Sequence, residues 1–120
     1  MSGVTRGRPP TQGIRQAVML ARARGIVMEI RQTNESPAVL VITGNSRVTF
    51  VRIRRIESIR RSPAEIEAED REAIALLRTI PGNNTISREL WVYSKFGTWR
   101  FFSVEDGWLL EIHRDGSPLI

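Results

Sequence analysis

Residues 36–54 constrain the fold more than any other stretch, because they read as a β-hairpin. Residues 38–42 are an apolar run and residues 47–55 a strand-like run of β-branched, aromatic and basic residues, and Thr43-Gly44-Asn45-Ser46 between them is turn chemistry. Ser36-Pro37 marks the entry, and the second strand leaves through Arg52, Arg54 and Arg55. Two residues apart on a strand, Arg52 and Arg54 share one face.

The flanking segments are compatible with a single domain. Residues 1–11 are small, polar and basic, as expected of a flexible tail, and residues 12–120 form the expected domain. Residues 12–24 predict a first helix, with Ile14, Ala17, Val18 and Ala21 on its buried face and Gly25 closing it. Residues 26–31 predict a first strand. Ser62-Pro63-Ala64-Glu65 is a capping box that opens one long second helix, with Ile66, Ala73, Ile74, Leu77 and Ile80 as its core stripe. After Pro81-Gly82, residues 88–94, 99–104 and 108–112 read as strands. The order predicts an α/β (α+β) protein, a mixed sheet flanked by helices.

The hairpin resembles the active-site hairpin of the restriction-endonuclease-like superfamily, in particular its archaeal Holliday-junction-resolvase type. The family pattern is Pro-Asp, an apolar strand, a Gly turn, a second strand and Glu-x-Lys. Further likeness lies in Ala21-Arg22-Ala23-Arg24-Gly25, in the helix from Ser62, and in residues 88–93 followed by 97–102. The resemblance implies a restriction-endonuclease-like domain of α-β-β-β-α-β-β order, a nucleic-acid partner and a homodimer. It also implies a metal-dependent nuclease centre, but here Ala38, Arg52 and Arg54 stand at the Asp, Glu and Lys positions.

Those replacements remove the chemistry. A hard cation needs oxygen ligands, which Ala38 lacks, and Arg52 offers only donors. A dication about 4 Å from one arginine is repelled by roughly 8 kcal/mol at an effective dielectric near 20. The expectation is a catalytically degenerate protein with no catalytic residues, no metal and no cofactor. An active nuclease using relocated acids is the alternative, with Glu29, Glu35 and Glu57 as candidates. With no cysteine and one histidine, His113, a zinc site is close to excluded. No Gly-rich phosphate loop follows a strand, and no small-molecule substrate is indicated.

Net charge is +5, and arginine supplies all but one of the 18 basic residues. Arginine suits phosphate contacts, so Arg47, Arg52, Arg54, Arg55, Arg60 and Arg61 are the candidate DNA- or RNA-binding residues. The same composition also follows from a GC-rich genome, and the cluster also fits a solvated face balanced by acids such as Glu65. Trp91, Trp99 and Phe102 are the candidate dimer interface, since aromatic anchors concentrate binding energy; aromatics on alternating strand positions also serve as core. A structural or assembly homodimer, or a protein-interaction module, is therefore a further alternative. Apolar runs are too short to span a bilayer and the N-terminus lacks a secretory pattern, so a cytoplasmic protein is the expectation.

Overall fold

Six strands form one mixed sheet whose order in space follows their order in the chain. A computed structural model of the protein describes residues 11–30 and 36–119. The elements are α1 (Thr11–Arg22), β1 (Ile26–Glu29), β2 (Leu40–Gly44), β3 (Arg47–Arg55), α2 (Pro63–Glu69), α3 (Arg71–Arg78), β4 (Ile86–Tyr93), β5 (Trp99–Val104) and β6 (Leu109–Ile112). β1–β3 form one antiparallel meander and β4–β6 another. The two join where β3 and β4 run parallel, which requires the crossover through α2 and α3. The expected tail lies outside the described residues through residue 10, while Thr11 already opens α1.

Alternation along the strands splits the core into two layers. Val51, Ile53, Trp91 and Phe101 pack with Ala17, Val18 and Ala21 of α1. On the opposite face Leu90, Val92, Phe102 and Val104 pack with Ile66 of α2 and with Ile74 and Leu77 of α3. Helices thus cover both faces of β4, and no alternate residue of that strand is left for solvent between Arg88 and Val92.

Asn45 and Ser46 hold positive φ (54° and 61°), the conformation that a two-residue hairpin turn demands. Beside this turn the chain crosses itself. A Cβ on Gly44 would lie 2.3 Å from the Arg24 carbonyl oxygen, so only glycine permits the α1–β1 connection to pass.

The second helix corrects the sequence expectation. Its capping box is present, with Ser62 Oγ accepting from the Glu65 N–H and Glu65 accepting from the Ser62 N–H. The expected continuous helix is instead two, broken at Asp70 (φ −104°, ψ 30°). Aspartate is a poor interior helix residue, and this one is buried and bonded to Arg54 Nε of β3 at 2.9 Å. No helix among the described residues is long and apolar enough to cross a membrane.

Candidate nucleic-acid interface

The six arginines singled out in the sequence do not form one patch. β3 sends Arg47 and Arg55 to the α1 face but at opposite ends of its nine residues, about 26 Å apart at roughly 3.3 Å per residue. Arg52 points under the α2–α3 break and is only 6% exposed, donating from Nη1 to the Ser36 carbonyl. Burial first, and the neighbouring Arg54 second, push its pKa below the usual guanidinium value. Arg54 is paired with Asp70, and Arg61 with Glu69 rather than with the Glu65 expected. Arg47, Arg55 and Arg60 remain exposed, with no ion pair among the described residues.

A different constellation gathers at the C-terminal ends of β3 and β4. Arg55, Ile56, Glu57 and Lys95 line a hollow of about 340 Å³ there. Phe96, on the turn after β4, is 82% exposed, with Lys95 Nζ 5.2 Å from its ring centre. Tyr93 and Trp99 stack beside it at 4.8 Å. The N-terminal half of α1 is fastened across them: Trp99 Nε1 donates to Gln16 Oε1 at 3.2 Å, and Gly13 packs directly on the Tyr93 ring. That contact sets exposed Arg15 near the same end.

Arg60 is positioned instead on the α2–α3 face of the sheet. Arg100 of β5 forms a two-pronged pair with Glu111 of β6, at 2.9 and 2.6 Å. Its Nη1 also donates to the carbonyls of Ile59 and Arg61, clamping the loop that carries Arg60 to the sheet. The pair with Glu111 raises the Arg100 pKa against the effect of burial. The Arg55–Lys95 end of the molecule therefore offers separated cations around an exposed ring, suited to phosphates and to a stacked base. Sequence reading passed over Lys95 and Phe96 as plain turn residues. An exposed-position phenylalanine beside the chain's one lysine was the available signal.

Chain comparison gives no family to lean on: no protein-family model matches this sequence, and no curated protein matches it.

The interface residues need correction. Trp91 and Phe102 are fully buried inside the protomer and have no surface to offer a second copy. Trp91 lies edge-on to Trp99 and Phe101, and Phe102 lies under the Arg100 guanidinium in the opposite layer. Trp99 is half-buried in the Tyr93 stack. The described acids named for a relocated metal site do not meet: Glu57 lines the hollow with Arg55, while Glu29 sits on β1. Glu29 is exposed on β1, Glu57 is exposed after β3, and Glu35 lies outside the described residues. Ala38 is buried in the core. Among the described residues no three carboxylate, imidazole or thiol groups converge.

Proposed function

We propose that this protein binds nucleic acid without cutting it, on a nuclease-like frame whose acidic positions have become alanine and arginine. Arg55 and Lys95 line one hollow, without an ion pair among the described residues and beside exposed Phe96, and this carries the reading. The restriction-endonuclease-like frame is supported by a three-strand meander, a helical crossover and a parallel β3–β4 pair, with helices on both faces.

The test is binding of a labelled oligonucleotide across a salt series. Each phosphate neutralised contributes about 0.7–0.9 to the slope of log affinity against log salt, so Arg55→Ala/Lys95→Ala is expected to lower its magnitude by about 1.5. The oligonucleotide should stay intact with magnesium or manganese present. An unchanged slope, or no binding at about 50 mM salt, overturns this surface. Metal-dependent cleavage lost in Glu29→Gln would instead favour relocated acids.

Assembly of two copies is the second reading, favoured by the edges of the sheet. The β6 edge is covered by a bridge from Ile112 to Pro118, and proline blocks further pairing. β1 ends the sheet on the other side with no proline, lysine or bulge, and exposes Ile26 (77%) and Met28 (65%) on one face. A second β1 related by a two-fold axis normal to the sheet would pair antiparallel, with Ile26 opposite Met28. Light scattering is expected to report a dimer that Met28→Lys converts to monomer. A 13.6 kDa species at tens of micromolar wild-type protein rules this assembly out.

A further inference from the structure

The break between α2 and α3 roofs a cleft of about 700 Å³ on the face of the sheet opposite α1. Arg52, Arg54 and Arg71 line it together with Glu69, Asp70 and Glu72, with Ala68 and Leu76 as apolar wall. Arg52 and Asp70 are each 6% exposed, yet Arg52 Nε has no acceptor and Asp70 Oδ2 has no donor. Among the described residues Arg52 has no carboxylate within ion-pair distance, since Asp70 is drawn to Arg54 through Oδ1. Asp70 also precedes the eight-residue α3 without capping it, so its side chain is not spent on that helix's first turn.

Two buried groups of opposite demand are thus left side by side in one cleft. An unsatisfied buried polar group is destabilising, and a charged one more so, so a ligand that serves both is strongly favoured. It must carry negative charge for Arg52, an acceptor oxygen for Nε and a proton for Asp70 Oδ2. A phosphodiester has the oxygens but no proton. A phosphomonoester in its singly protonated form has all three, because its second proton leaves near pH 6. The positive end of the α3 dipole and exposed Arg71 favour the same charge. Of the acids on the rim, Glu69 is held by Arg61, and Glu72 is exposed to solvent, where its charge is screened. Burial also raises the Asp70 pKa despite Arg54, which suits a carboxylate that shares a proton with an anion.

We propose that the Arg52–Asp70 cleft holds a phosphomonoester group, and that its source is the phosphorylated end of a nucleic-acid strand lying on the Arg55–Lys95 surface. The source rests on the nucleic-acid reading above; the chemistry of the cleft does not. Arg54 and Arg55 are neighbours on β3 facing opposite sides of the sheet, so a strand end turning over the C-terminal edge of β3 passes from one site to the other.

The experiment compares oligonucleotides of one sequence ending in a phosphate or a hydroxyl, alongside inorganic phosphate followed by phosphorus NMR. The phosphate-ended strand is expected to bind about ten- to a hundred-fold more tightly, the worth of one or two charge-assisted hydrogen bonds. Arg52→Lys keeps the buried charge but removes the Nε donor, and should abolish that preference. Ala68→Glu, at an exposed helix position on the cleft wall, should do so without touching the core. Ala68→Glu should bind the hydroxyl-ended strand as the wild type does. Equal affinity for the two strand ends, with no phosphate broadening, overturns the proposal. Phosphate binding lost in Ala68→Glu without any strand binding upholds the cleft and overturns the nucleic-acid reading. Phosphate binding with no end preference overturns the assigned source alone.

Discussion

Glu89→Ala is expected to lower folding stability by about 3–5 kcal/mol, the range for a buried ion pair stripped of one member. Glu89, on β4, accepts from Arg24 Nη1 at 2.7 Å and Nη2 at 2.8 Å, and from Trp91 Nε1 at 2.8 Å. Burial alone would lower the Arg24 pKa, but the Glu89 bonds and charge outweigh it and the net shift is upward. Without Glu89 a largely buried guanidinium has lost its two-pronged partner, and the indole N–H of a fully buried tryptophan has lost its acceptor. Total stability of a small domain is commonly about 5–15 kcal/mol, so the loss is a large share of it. Urea unfolding followed by circular dichroism measures it. The double variant Arg24→Met/Glu89→Leu should lose less than Glu89→Ala, since neither charge is then stranded. A Glu89→Ala midpoint close to wild type would mean that the pair is not held as described.

Phe102→Ala should cost about 3–5 kcal/mol through the cavity it leaves. Its ring is fully buried among Leu90, Val104 and Ile66, with Arg100 above it at 5.1 Å. Collapse is restricted because Arg100 is already fixed by Glu111 and by two loop carbonyls. The same substitution should leave the oligomeric state unchanged in the folded fraction, because Phe102 faces the protomer's own core. Trp99→Ala should cost less, since its ring is only half-buried. A small effect of Phe102→Ala together with a change of oligomeric state would restore the β4–β5 hairpin as an interface.

Local signals carried much of the architecture. The bounds of β3, the capping box at Ser62 and the turn at Asn45-Ser46 each follow from a few adjacent residues, and each is present. What escaped the sequence depends on partners far along the chain. Arg24 and Glu89 are 65 positions apart, and nothing in either neighbourhood marks the other. Arg88 is buried despite its charge because its guanidinium reaches the carbonyls of Val104 and Ile80, 16 and 8 positions away. The break at Asp70 was hidden for the same reason, since its partner Arg54 lies on another element. The basic cluster was misread through proximity in sequence. Alternation sends adjacent arginines to opposite faces, so a run such as Arg54-Arg55 is split rather than pooled.

The parallel seam between β3 and β4 also fixes the order in which the chain can assemble. The β2–β3, β4–β5 and β5–β6 pairs join neighbours through short connections and can close early. The seam instead brings together residues such as Thr49 and Ser87, 38 positions apart, whose hydroxyls meet at 2.8 Å. Closing that long a segment must precede any gain from the contacts it makes, which slows folding. Until α2 and α3 dock, two half-sheets exist side by side, each with a raw strand that belongs in the middle of the finished structure. Those transient species, rather than the native edges, are where misassociation between nascent chains should begin.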